Sequence, residues 1–199
     1  MKRIISLAMV VMVLVLSLVS CGYNSRIEYQ GFTATHHATI VVKNYGTIKV
    51  ELYGHEAPIT VENFVKLANE GFYEGTTFHR IIEGFMAQGG GFNQDGSYKS
   101  ANEIKGEFLA NGVRNTIAHQ RGVISMARAE DFNSASSQFF IMHETNNNLN
   151  YLYAGFGCVI DGMDVVDAIC EKAEPYDGNG GIFISERPII ESITIEEIK

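Results

Sequence analysis

The residues best suited to chemistry in this 199-residue chain fall in one long run and two short ones. The long run is Phe78-His79-Arg80-Ile81-Ile82-Glu83-Gly84-Phe85-Met86-Ala87-Gln88-Gly89-Gly90. The short ones are Gly122-Val123-Ile124-Ser125-Met126-Ala127 and Ser136-Ser137-Gln138-Phe139-Phe140-Ile141. Side chains alternate along a strand, so Arg80 and Ile82 are expected on one face and His79 and Ile81 on the other. Arg80 offers a permanent charge and a planar fork of donors. Phe85, Met86 and Gln88 add an aromatic ring, a soft filler and a side-chain amide. Such a set can grip a ligand and donate hydrogen bonds; it contains no activated nucleophile.

Other motifs fail on spacing. Gly89-Gly90-Gly91 is followed by no Gly-Lys-Ser/Thr and opens no G-x-G-x-x-G helix, so it is not a phosphate loop. His143-Glu144 lacks a second His four residues on, which excludes the zincin pattern. No Ser stands in a G-x-S-x-G elbow. His36-His37 would point to opposite sides of a strand, with no third ligand nearby, so no metal is expected there. Cys158 and Cys170 are not in C-x-x-C spacing. Export would permit a disulfide between them, but buried thiols are the default reading.

The run from Phe78 to Gly90 resembles the signature of the cyclophilin family of peptidyl-prolyl isomerases, F-H-R-I-I-x-G-F-M-x-Q-G-G. Ser125-Met126-Ala127, Ser137-Gln138-Phe139-Phe140 and Phe156-Gly157 follow at the family's spacing. The resemblance extends from about Ala38 to Ile195. It implies that Arg80 is the catalytic arginine and that Phe85, Met86, Phe140 and Leu149 form the floor and walls of a proline pocket. It implies that Gln88 hydrogen-bonds the substrate backbone and that Ala127 and Gln138 line the groove. Arg128 falls where the family usually has Asn and uses its backbone. Two positions depart from the eukaryotic pattern. Asn148 replaces a Trp, which implies weak cyclosporin binding, and Tyr153 replaces a His at the pocket rim.

The implied reaction is rotation about an X–Pro bond, over a barrier of about 20 kcal/mol set by the partial double bond of the amide. A quarter turn breaks the resonance and returns a lone pair to the prolyl nitrogen. A donor aimed at that nitrogen binds the twisted state better than either planar one. No proton transfer, metal or cofactor is called for. Taken alone, Arg80 would read as an exposed ion-pair partner; its surroundings make it the catalytic candidate. His79 is expected to pack or hydrogen-bond inside the barrel rather than titrate in catalysis. An alternative function is a non-catalytic module that only holds proline-containing segments.

These residues need a scaffold, and the hydrophobic periods supply one. Ala38–Val42 and Thr47–Leu52 read as a hairpin broken at Asn44-Tyr45-Gly46, with Ile48, Val50 and Leu52 inward. Val61, Phe64, Val65 and Ala68 make one face of a helix over 58–70, with Thr60 as N-cap and Gly71 as its stop. A second helix is expected near 163–172, burying Val165, Val166 and Ile169. Short strands are expected at 78–82, 86–89, 122–126, 137–142 and 156–160, and a closing strand at 189–195. Many short strands with only two helices, not alternating one for one, point to a mainly β fold, a barrel or a sandwich. The resemblance makes this a closed eight-stranded antiparallel barrel capped by two helices. The stretch 92–112 gives no firm reading beyond a Gly/Asn/Ser-rich surface loop.

The N-terminus is of a different kind. Ile4 to Val19 is apolar apart from Ser6 and Ser17, follows Lys2 and Arg3, and is too short for a typical span, so it reads as a secretory signal. Leu18-Val19-Ser20-Cys21 resembles the lipobox of bacterial lipoproteins, which implies cleavage before Cys21 and lipid on its thiol. The expected organisation is a signal over 1–20, a lipidated Cys and tether over 21–37, and one isomerase domain over 38–199. Removing Lys2 and Arg3 from the 15 basic residues leaves 13 against 23 acidic ones. That balance, near −10, and the absence of a basic run exclude a nucleic-acid partner. The expected partners are proline-containing peptides, unfolded exported proteins and, through the anchor, a membrane. The expected state is an extracytoplasmic monomer.

Overall fold

The computed structural model describes residues 31–198; the signal and Cys21 lie outside them. Eight strands form one antiparallel sheet: β1 (His36–Val42), β2 (Gly46–Leu52), β3 (Thr76–Ile82), β4 (Met86–Asn93), β5 (Val123–Met126), β6 (Phe139–Met142), β7 (Gly155–Asp161) and β8 (Ile190–Glu197). Their order is β3-β4-β6-β5-β7-β2-β1-β8. The sheet curls until its two ends meet. The junction is short: an isolated bridge between Thr77 and Ile189, with Gly75 N and Phe78 N donating to Ile190 O and Pro188 O. The barrel is thus drawn shut by a few bonds rather than by a full ladder.

The β1–β2 hairpin has the expected register, with Ile40 opposite Ile48 and Val42 opposite Gly46. Alternation buries Ile48, Val50 and Leu52 completely. Order begins before residue 38. His36 and His37 pair with Leu52 and Glu51, Thr35 N donates to Leu52 O, and Phe32 lies 5.4 Å from Tyr53. Phe32 and Ala34 pack against the outer apolar cluster, and backbone pairing with β2 and β8 holds 36–37.

Two helices press apolar faces into the main core. Helix α1 (Pro58–Asn69) buries Val61, Phe64, Leu67 and Ala68, and Phe64 packs on Tyr73, Phe139 and Phe156 at 5.2–5.5 Å. Gly71, at φ 69°, ends it. Gly71 N and Phe72 N donate to Ala68 O and Leu67 O, the paired bonds of a left-handed helix stop. Its start differs from expectation. Thr60 is not the N-cap; Ala57 holds that position without a side-chain bond. Glu107, far along the chain and buried, accepts from Ile59 N (3.1 Å), Thr60 N (2.7 Å) and Thr60 Oγ1 (2.7 Å). Part of the unassigned 92–112 stretch therefore serves to cap a helix. Helix α2 (Met163–Glu171) buries Val165, Val166, Ile169 and Cys170. Cys158 and Cys170 are both free, and burial pushes each thiol up to about 12, so they are inert packing groups.

Candidate active site

Cross-strand register assembles the site as a row. Arg80 on β3 stands opposite Gln88 on β4, Gln88 opposite Phe140 on β6, and Phe140 opposite Ser125 on β5. Residues directly opposite each other share a face. A second row, Ile82–Met86–Met142, runs beside it. Inner-face neighbours Ile81, Ala87 and Ile141 belong to the main core. Met86, Phe140 and Met142 belong to a separate outer cluster, against which Phe85, Leu149 and Tyr153 pack.

The register shifts between Phe78 and Arg80. Strict alternation would place those two on one face. Instead Phe78 is fully buried in the main core while Arg80 looks outward, because the extra residue re-aims the strand. The same bulge keeps His79 out of the barrel interior where it was expected. Its ring is half-buried, 4.6 Å from Phe92. Burial lowers its pKa to about 4. It is neutral at pH 7.

The outward face holds a cavity of about 180 Å³ lined by Arg80, Phe85, Met86, Gln88, Ala127, Arg128, Phe140, Leu149 and Tyr153. The structure thus gathers nine of the ten candidate groove residues around one pocket. The tenth, Gln138, is one bond behind it, accepting from Gln88 Nε2 at 2.9 Å. Gly91 makes room for it: a Cβ there would fall 2.4 Å from Gln138 Cγ. Asn148 is exposed on the turn that carries Leu149 and does not line the pocket.

Arg80 is held from two sides. Its Nε donates to Asn179 O at 2.7 Å, and its Nη1 donates to Gln88 Oε1 at 3.2 Å. Nη1 also lies 3.8 Å from Met86 Sδ on the pocket floor, and among the described residues Nη2 has no hydrogen-bond partner. Gln88 is oriented in turn by accepting from Arg80 and donating to Gln138. Arg128 is tied down by its own donors. Nε and Nη2 reach Leu152 O at 3.2 and 3.1 Å, and Nη1 reaches Ala129 O and Glu130 O. Its guanidinium lies 4.7 Å from the Tyr153 ring, so a side chain here braces the rim.

Sequence reasoning missed His119. Its ring is fully buried behind Phe140, stacked at 6.0 Å. Asn150 Oδ1 already accepts from His119 N at 2.7 Å, so the ring donates through Nδ1 (3.3 Å) and accepts at Nε2 from the Ser125 hydroxyl at 2.9 Å. Burial lowers its pKa to about 4, with the Asn150 bond opposing. It ties the strand carrying Ser125 to the turn carrying Leu149. Its place just ahead of the Gly122–Ala127 run was the one signal available.

Comparison with known proteins agrees with this geometry. The family model described as cyclophilin type peptidyl-prolyl cis-trans isomerase/CLD matches residues 37–199. Peptidyl-prolyl cis-trans isomerase A of Dickeya dadantii (strain 3937) is 41% identical over 167 residues, covering 79% of this chain and 82% of its own. Peptidyl-prolyl cis-trans isomerase B of Escherichia coli (strain K12) is 42% identical over 163 residues, covering 77% and 96%. A crystal structure of a Cryptosporidium parvum cyclophilin type peptidyl-prolyl cis-trans isomerase, in the presence of the dipeptide Ala-Pro, superposes with a TM-score of 0.66. It is 30% identical and covers 81% of this chain and 99% of its own.

Proposed function

The chain belongs to the cyclophilin-type peptidyl-prolyl cis-trans isomerases, and from that premise we propose how its residues divide the work and where the enzyme acts. Arg80 is the catalytic residue. The X–Pro bond rotates without any covalent bond breaking, and the prolyl nitrogen regains its lone pair as the amide twists. Nη2 of Arg80, without a hydrogen-bond partner among the described residues, donates to that nitrogen and so binds the twisted state selectively. The observation that carries this assignment is the Arg80 fork fixed by Asn179 O and Gln88 Oε1 at the edge of an apolar pocket. Phe85, Met86, Phe140 and Leu149 grip the proline ring. Gln88 holds the adjoining backbone, with Gln138 orienting it, and Ala127, Arg128 and Tyr153 form the rim. A family member crystallised with Ala-Pro supports proline-peptide binding here. The pocket is complete within one chain, which supports action as a monomer.

The substrates on this reading are exported, incompletely folded proteins. The support is in the sequence: Lys2 and Arg3, the apolar run to Val19, and Cys21 at the end of a lipobox-like exit. Lipid on Cys21 holds the acidic domain at the outer face of a membrane, since each buried CH₂ contributes about 0.8 kcal/mol.

A protease-coupled isomerisation assay on an Ala-Pro peptide tests the catalytic reading: the full chain accelerates isomerisation and Arg80→Ala does so far less. Peptide binding without acceleration would make it a binding module instead. Radiolabelled palmitate tests the anchor. Label in the wild type and none in Cys21→Ala is expected; label in both would rule out that site.

A further inference from the structure

Beside the pocket lies a shelf of exposed apolar side chains: Leu109 (54% exposed), Phe132 (36%), Tyr151 (53%) and Leu152 (41%). They come from three separate segments joined by specific contacts. Ala110 N donates to Tyr151 O at 3.0 Å, Arg128 donates to Leu152 O, and the Arg128 guanidinium lies 4.8 Å from the Phe132 ring. Arg128 and Tyr153 line the pocket, so the shelf begins where the pocket ends. Isolated exposed apolar residues need no explanation, but a contiguous group adjoining a binding groove does. Tyr151 adds a second observation. It adopts φ 68°, one of two non-glycine residues among those described to do so. An aromatic residue at positive φ with its ring in solvent carries both a backbone and a hydration cost, the signature of a position kept for contact.

We propose that this shelf receives an apolar or aromatic side chain of the substrate polypeptide, a few residues from the proline in the pocket, and so makes the enzyme selective for unfolded segments rich in such residues. The inference rests on the assignment of the pocket to proline. Its occupant is argued from continuity: an extended substrate that fills the pocket must leave it across a rim, and beyond Arg128 and Tyr153 the rim continues as this apolar shelf.

The test compares two sets of peptides with the full-length protein in the coupled assay. One is a short Ala-Pro peptide flanked by alanines. The other carries Leu or Phe at successive positions on each side of the proline. Apolar residues at one or two positions on one side are expected to raise kcat/KM by about tenfold, a gain in transition-state binding rather than turnover alone. The Leu109→Ser/Tyr151→Asn variant is expected to abolish that gain while its rate on the short peptide stays within about twofold of wild type; Asn tolerates the positive φ. No gain from apolar residues, or a gain that survives the double substitution, would overturn the proposal. So would a variant that keeps the gain but loses sedimentation with phosphatidylglycerol/phosphatidylethanolamine vesicles, since the shelf would then be a membrane contact. A wild type inactive on the short peptide would instead overturn the reading of the pocket.

Discussion

Arg80 is useful to the reaction only while its fork is aimed, and two fixed acceptors aim it. Arg80→Ala is expected to lower kcat/KM by about 10²–10³-fold, the loss usual for one transition-state donor, with a circular-dichroism spectrum and Tm close to wild type because the side chain is outside both apolar clusters. Arg80→Lys should recover little, since a point charge cannot bond Asn179 O and Gln88 Oε1 and still present a donor to the substrate. His119 makes a different prediction. Its pKa falls from 6.5 in the unfolded chain to about 4 in the fold. The unfolded state therefore takes up a proton first as pH drops. The stability of the neutral buried ring is fully present above pH 6.5 and is lost progressively down to about pH 4, a change on the order of 3 kcal/mol. Denaturation of wild type across that window should show the slope, to which His79 also contributes, and His119→Gln should reduce it by about half whatever its absolute stability. An unchanged slope would assign the effect to other groups.

At the scale of elements, the site depends on parts that carry no catalytic group. Helix α1 brings Phe64 to the barrel core, yet its N-terminal donors are satisfied from buried Glu107 rather than by a local cap. Glu107→Ala would leave those buried donors unpaired and should cost about 1–3 kcal/mol, read as a lower denaturation midpoint with unchanged m-value. Isomerase activity at low temperature should persist, because no pocket residue is touched. The β3 bulge and Gly91 act closer to the site. A side chain at Gly91 would collide with Gln138, so Gly91→Ala should loosen the Gln88–Gln138 pair and raise KM more than it lowers kcat. Equal losses in both would point to a wider collapse of the groove. Neither device could be read locally. A bulge is a property of two paired strands, and a tertiary cap joins residues that only the fold brings together.

Over the whole molecule, the proposed lipid on Cys21 predicts partition with membranes; among the described residues no helix is long and apolar enough to span. Cys21→Ala should move the protein to the soluble fraction on cell fractionation with its kcat/KM on peptides intact. Retention of the variant at the membrane would point to another attachment. The barrel itself was largely legible. Strong periods at Ile48–Leu52 and Val61–Ala68 place strand and helix within a residue or two, because one buried face dictates which residue types recur. The thirteen-residue run from Phe78 identified the family and, with its companions, ten groove positions, nine of which line one cavity. What the chain by itself determined was therefore the set of residue types and the faces they occupy. The tertiary structure decided three further things: that β3, β4, β6 and β5 lie side by side, so that Arg80, Gln88, Phe140 and Ser125 form a row; that Asn179 and His119 stand behind that row; and that Arg128 adjoins an apolar shelf. Each depends on which strands pair and in what register. Pairing is settled by packing the whole core at once, not by any local stretch of sequence.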